Sequence, residues 1–167
     1  MPPEREIGES FYEPLGRIVI KFACLDDCIA MAVFTLSNPN PVSQPTSQVT
    51  SIGGAMEQNV WRLIISGTTI EQRVEMLRRI AKHRFPSRTA DIDNLYKDLK
   101  KVIEIRNELM HHGWHGAGQI GFNRHGVPQV NERSVEELTD IGNQIASLNQ
   151  RVTWLHENLL ELYSSEH

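Results

Sequence analysis

The segment IEIRNELMHHGWHG, residues 103–116, combines a side chain that can hold an anion with side chains that can move a proton. The planar guanidinium of Arg106 can bind two oxygens of a phosphate or carboxylate at once. His111 titrates near neutral pH, so it can accept or donate a proton. Asn107 is four residues before His111, and residues at that spacing share a helix face. Together these residue types could bind an anion and move a proton.

Arg106 occupies a position that the surrounding pattern predicts to be buried. The apolar residues that define this helix face are Leu95, Leu99, Val102, Ile103, Leu109 and Met110. At about 100° per residue, Arg106 falls near the middle of their arc. An unpaired charge there would cost about 3–5 kcal/mol. We therefore expect the face to open onto a cleft, or Asp26 of the first helix to lie opposite and pair with Arg106.

The spacing between Arg106 and His111 places a geometric condition on joint action. Residues five apart differ by about 140° around a regular helix. They can act on one group only if the helix unwinds near His111 or if both side chains bend into one groove. Gly113 is a natural helix stop, which favours unwinding at this point.

Four amphipathic segments predict an all-α fold, an up-down four-helix bundle. Capping-box pairs, Thr68 with Glu71 and Ser134 with Glu137, predict where the second and fourth helices begin. The third helix is predicted from about Thr89 to His112, and GQIGFNRHGVPQV after it predicts a small hairpin or an irregular loop. The domain boundaries follow: an N-terminal tail 1–13, one helical domain 14–163 with a loop 37–59, and a C-terminal tail 164–167.

The first helix has a second apolar stripe, formed by Ile20, Cys24, Cys28 and Met31. A helix that is apolar on two sides must be covered on two sides. In a domain of 167 residues, the second cover is predicted to be another subunit. Cys24 and Cys28 are interpreted as packing residues, because neighbours on one helix have poor geometry for a disulfide.

Composition excludes several classes of protein. The net charge of −4 rules out a basic surface over the whole molecule, so nucleic acid would have to bind to a local patch. No apolar run approaches membrane-spanning length, and the N-terminal residues lack the apolar core of a signal peptide. We expect a cytoplasmic protein that binds no membrane.

The sequence resembles the HEPN domain family. RNELMH, residues 106–111, fits the family's pattern of an arginine, four intervening residues and a histidine, with an asparagine directly after the arginine. The pattern lies near the end of the third long helix, as in that family, and HG follows it. The stretch FACLDDCI in the first helix resembles the leucine-acid step that many of these domains carry.

The resemblance implies a metal-independent endoribonuclease without cofactors, in which the motifs of two subunits meet in one cleft. Arg106 and His111 would be catalytic, with Asn107 orienting His111 or binding phosphate and Asp26 holding Arg106. The homodimer would form through the first helix and the motif region of the third. The family also implies a stress, phage-defence or toxin–antitoxin setting, with RNA and an antitoxin or regulatory protein as partners.

Further residues are candidates for RNA contact, each with a structural alternative. A basic cluster ends the second helix: Arg78, Arg79, Lys82 and Arg84. It would bind the RNA backbone or form a solvated helix end. Trp114 would stack on a base or cover a helix end. His111 itself has the alternative of capping the helix. A zinc site at His111, His112 and His115 is disfavoured, because no cysteine or carboxylate completes a ligand pattern.

A non-catalytic function is the alternative to the endoribonuclease. In that alternative the protein is a helical RNA-binding or protein-interaction module, and Arg106 with Asp26 is a structural ion pair between the first and third helices.

Overall fold

The computed structural model describes residues 9–37, 65, 67–111, 113–115, 119–124 and 127–157. For residues 9, 10, 111, 113–115, 119–124, 127–132, 156 and 157 it describes the backbone alone. The predicted loop 37–59, apart from Ser37, and the predicted C-terminal tail 164–167 lie outside the described residues.

Four long helices form the body of the molecule. They are α1 Glu9–Ser37, α2 Ile70–Arg84, α3 Thr89–His111 and α4 Val135–Glu157, with a short 3-10 turn at Pro86–Arg88 between α2 and α3. Each helix packs on the next along the chain, and α4 returns to pack along α1. The predicted all-α, up-down four-helix bundle is therefore confirmed.

The core lies where the apolar stripes of the four helices meet. Its fully buried members include Ile18, Leu25 and Ile29 from α1, Leu99 and Leu109 from α3, and Leu138 and Ile145 from α4. Within the described part of the chain, no polar or charged residue is buried in this core. The 3.6-residue periodicity of each segment accounts for this separation of apolar and polar sides.

A small antiparallel sheet separates α3 from α4. Its strands are β1 Gly113–His115, β2 Gln119–Arg124 and β3 Val127–Glu132, in the order β1-β2-β3. Arg124 pairs with Val127, which makes β2 and β3 a tight hairpin. Of the two predicted alternatives, a small hairpin and an irregular loop, the structure has the hairpin, and β1 adds a third strand to it.

The helix starts follow local hydrogen bonding. Ser134 and Glu137 form the predicted capping box: the Ser134 amide donates to the Glu137 carboxylate at 2.9 Å, and the Glu137 amide to the Ser134 hydroxyl at 3.1 Å. The predicted cap of α2 was wrong by one residue. Thr69 and Gln72 form that box, because the Thr68 hydroxyl instead donates to the Ile65 carbonyl at 2.8 Å.

Two other predictions about α1 and its surroundings need correction. The helix begins at Glu9, inside the segment predicted to be a tail. Cys24 is exposed rather than packed, whereas Cys28 is half-buried with its sulfur 3.6 Å from the Thr153 hydroxyl. Of the helices described, none has both the length and the hydropathy needed to cross a bilayer.

Candidate functional site

An open groove of about 530 Å³ lies between the middle of α1, the start of α2 and the end of α3. The polar side chains that line it are Asp26, Thr69, Glu71, Arg73, Arg106 and Asn107. Its apolar walls include Phe22 and Val19 of α1 and Met110 of α3. Three helices thus bring Arg106, Asn107 and Asp26, which the sequence singled out, to one surface opening.

Asp26 forms its ion pair with Arg73, so the predicted Arg106–Asp26 pair was wrong. The Arg73 Nη2 atom lies 2.6 and 2.7 Å from the two carboxylate oxygens, and Nε lies 3.1 Å from Oδ1. The Arg73 Nη1 atom donates to the carbonyls of Ile65 and Thr68 at 2.9 and 3.0 Å. All three nitrogens of this guanidinium thereby have an acceptor.

The position of Arg73 in its helix explains why it takes the acid. It lies in the first turn of α2, directly beside Asp26 of α1 and next to the carbonyls that precede the helix. Ile70, Arg73 and Leu77 follow the three-and-four spacing of a buried helix face. A charged residue within an apolar helix face is also what singled out Arg106. The same criterion applied to the second helix would have identified Arg73.

Arg106 is half-buried at the groove wall and is held by its neighbours. Its Nη1 atom donates to the side-chain oxygen of Asn107 at 3.0 Å. Its guanidinium lies 5.5 Å from the centre of the Phe22 ring, within the range of a cation–π contact. Met110, predicted to face inward with the core, is 37% exposed at the same opening.

Asn107 links Arg106 to the start of α2. Its side-chain amide donates to the Glu71 carboxylate at 3.2 Å. A hydrogen bond from the backbone of Glu71 lowers the pKa of this carboxyl most, with help from Asn107, Thr69 and the charge of Arg106, against the opposing effect of burial. Glu71 is therefore a charged acceptor that orients Asn107, and through it the guanidinium.

His111 is the last residue of α3, and its side chain, like that of Trp114, lies outside the described residues. The helix is regular up to His111, and residue 112, which follows it, lies outside the described residues. At about 100° per residue, positions 106 and 111 are about 140° apart around the helix axis. Joint action requires side chains that bend toward one groove, or groups from two subunits.

The basic cluster of α2 lies apart from the groove and is paired with acids. Arg78 and Lys82 both bind Asp93, at 2.9 and 2.7 Å, and Arg79 binds Glu75 at 2.8 Å. Lys82 and Arg78 keep the pKa of Asp93 below its usual range. Arg84 donates to the Leu36 carbonyl at 3.2 Å. These contacts match the alternative of a solvated, charge-compensated helix end.

No protein-family model, curated protein or solved structure matches this chain. Among the side chains described, no group of three or more His, Cys, Asp or Glu residues is arranged to hold a metal ion. His111, His112 and His115 are outside that search. The geometry of the groove and the motif at residues 106–111 are therefore the two features of this chain that bear on its function.

Proposed function

We propose that this protein is a metal-independent endoribonuclease of the HEPN type that acts as a cytoplasmic homodimer. One observation carries the proposal. Arg106 lines an open groove, and Asp26, the acid that could have paired with it inside the bundle, is bound by Arg73 instead. The groove volume of about 530 Å³ is in the range of sites that bind small molecules or nucleotides.

The proposed chemistry uses the RNA's own nucleophile. The ribose 2′-oxygen bonds to phosphorus as the bond from phosphorus to the 5′-oxygen breaks, which leaves a cyclic phosphate and a 5′-hydroxyl. His111 of one subunit accepts the proton of the 2′-hydroxyl. His111 of the partner subunit donates a proton to the leaving oxygen. Arg106 stabilises the extra negative charge on the phosphate oxygens in the transition state.

The surroundings of Arg106 support this role. Asn107 and the Phe22 ring hold the guanidinium at the groove wall, and a fixed cation needs less reorganisation when charge develops on a substrate. Asp26 supports the site through Arg73, which differs from the role that the motif implied for it. RNA, and an antitoxin or regulatory protein in a defence or toxin–antitoxin setting, are the partners we propose.

A second candidate is a non-catalytic helical module that binds RNA or protein. The bonds from Arg106 to Asn107 and from Asn107 to Glu71 favour it, because they join α3 to α2 as a structural link would. In this case the groove residues hold the bundle together, and loss of Arg106 changes stability without changing any RNA chemistry.

The test is cleavage of a mixed RNA pool by the purified protein in the presence of chelator. We expect Arg106→Ala and His111→Ala each to lower the cleavage rate by about 10²-fold or more, as removal of a transition-state contact does. Arg151→Ala, which replaces an exposed arginine of α4 outside the groove and the basic cluster, is the matched control and should cleave normally. Circular dichroism checks that each variant is folded. If the folded parent and the folded Arg106→Ala and His111→Ala variants cleave equally poorly, the enzyme proposal fails.

A further inference from the structure

Glu71 is a charged acid in the groove that is proposed to bind RNA. It lies in the first turn of α2, it is exposed, and it lines the groove beside Asn107. The pKa of its carboxyl is lowered from 4.5, chiefly by a hydrogen bond from its own backbone, so the group is ionised at neutral pH. A fixed negative charge repels the phosphates of a nucleic acid. An acid at this place in an RNA site therefore needs a use that offsets the repulsion.

The capping box of α2 does not depend on this acid. Thr69 and Gln72 form the box, in which the Gln72 side chain accepts from the Thr69 amide at 2.8 Å. Among the described residues, the groups that donate to the Glu71 carboxylate are its own backbone, the Asn107 amide at 3.2 Å and the Thr69 side chain. A carboxylate offers about four acceptor positions. Glu71 can therefore accept one more hydrogen bond, from a donor that enters the groove.

The groove also exposes apolar surface near this acceptor. Val19 of α1 is 47% exposed and Met110 of α3 is 37% exposed, and both line the groove together with Ile70. Ligand sites combine apolar walls with a small number of polar groups that determine specificity. A nucleobase has the matching shape, because its flat faces lack donors and acceptors and its edge carries them. The groove therefore offers a wall for the face of a base and an acceptor for its edge.

A single amide group separates Arg106 from Glu71. The Arg106 Nη1 atom donates to Asn107 Oδ1 at 3.0 Å, and Asn107 Nδ2 donates to Glu71 Oε1 at 3.2 Å. The cation and the acid are thus two hydrogen bonds and one amide width apart, which is comparable with the span of a nucleotide from its phosphate to the edge of its base. A nucleotide whose phosphate is bound by Arg106 can therefore place a base edge at Glu71.

We propose that Glu71 selects the base beside the cleaved bond by accepting a hydrogen bond from an exocyclic amine of that base. Cytosine, adenine and guanine carry such an amine, whereas uracil presents a carbonyl oxygen where cytosine has its amine. An ionised carboxylate has no proton to donate, so the uracil oxygen would face a negative charge without a hydrogen bond. Uracil is therefore disfavoured at this position. This inference rests on the proposed function, since it names the RNA that the Arg106 groove takes.

Binding of an uncleavable oligonucleotide tests this selection without requiring catalysis. The probes are short fluorescein-labelled oligomers of deoxyuridine, which lack the 2′-hydroxyl nucleophile, with either deoxyuridine or deoxycytidine at the centre. By anisotropy in the presence of chelator, the parent should bind the cytosine probe about tenfold more tightly, as expected for one contact to a base edge. Glu71→Gln should bind the two probes equally to within about twofold, because an amide can accept from the amine or donate to the carbonyl.

Glu75→Gln is the matched control for that variant. Glu75 lies one turn further along α2 and outside the groove, so Glu75→Gln removes the same charge without touching the proposed contact and should keep the preference of the parent. Arg106→Ala should weaken the binding of both probes by a similar factor, as loss of a phosphate contact does. Binding that is insensitive to Arg106→Ala would lie outside the groove and would overturn the proposal.

A second pair of probes isolates the amine itself. Guanine and hypoxanthine differ only in the exocyclic amine, so the parent should bind a probe with central deoxyguanosine more tightly than one with central deoxyinosine. Equal binding within either pair, or an unchanged cytosine preference in Glu71→Gln, would contradict the selection by Glu71. Discrimination by a folded protein that cleaves no RNA would reject the nuclease alone. Cleavage of RNA with no preference between cytosine and uracil would reject the base selection alone.

Discussion

Two arginines line the same groove from opposite walls, and their surroundings differ. Arg73 of α2 has a side chain only 12% exposed, and its guanidinium is bound on every side by Asp26 and two carbonyls. Arg106 of α3 is half-buried against Phe22 and is positioned by an amide, Asn107. We infer that the two arginines have different roles. Arg73 holds α2 against α1, and Arg106 faces the groove, where a ligand would bind.

The largest expected effect on stability is from Arg73. Arg73→Ala leaves the Asp26 carboxylate without its bidentate partner, and loss of one member of such a pair is strongly destabilising. Because Asp26 is about a third exposed, water offsets part of the loss, and we expect about 2–3 kcal/mol. Urea unfolding followed by circular dichroism measures this change.

Arg106→Ala is the matched control for that experiment. Among the described contacts it removes a cation–π contact and a hydrogen bond to an amide, so we expect a loss of about 1 kcal/mol. The double variant Arg73→Ala/Asp26→Ala should be less destabilised than the sum of its two single variants, because neither charge remains unpaired. Equal losses for Arg73→Ala and Arg106→Ala would remove the distinction between the two arginines.

A smaller effect is expected at the cap of α2. Thr69 accepts a hydrogen bond from the Gln72 amide, and it closes the turn whose carbonyls bind Arg73. Thr69→Ala should cost about 1 kcal/mol in the free energy of unfolding. Thr69→Ser keeps the hydroxyl and should remain within a few tenths of a kcal/mol of the parent. A Ser variant as unstable as the Ala variant would show that packing matters here more than the cap.

The fold could be predicted from the sequence because its determinants are local. The apolar periodicity of each helix, the Ser134–Glu137 box and the hairpin before it all depend on residues close together in the chain. The cap of α2 was misplaced by one residue, since Thr68 and Thr69 are both good caps. The Ile65 carbonyl decides between them, and the position of that carbonyl is set by the chain path before the helix.

The site was predicted only in part, because its contacts join different helices. The pattern located Arg106, Asn107 and Asp26, and all three line the groove. It could not assign Asp26 to its partner, since Arg73 and Arg106 both interrupt apolar faces and the choice depends on how α2 and α3 approach α1. It also placed Met110 in the core, whereas Met110 is 37% exposed at the groove.

The smallest effect is expected from the pH dependence of Glu71, which connects the two walls of the groove. A bond from its own backbone, and then Asn107, Thr69 and Arg106, lower the pKa of this carboxyl below its ordinary value of 4.5. A lowered folded-state pKa stabilises the protein fully above the unfolded value and loses that contribution as pH falls through the folded value. The difference in urea midpoint between the parent and Glu71→Gln should therefore be constant above about pH 5 and shrink below pH 4.5. Gln retains an oxygen for Asn107, so this comparison isolates the charge; a difference that grows on acidification would contradict the contacts assigned to Glu71.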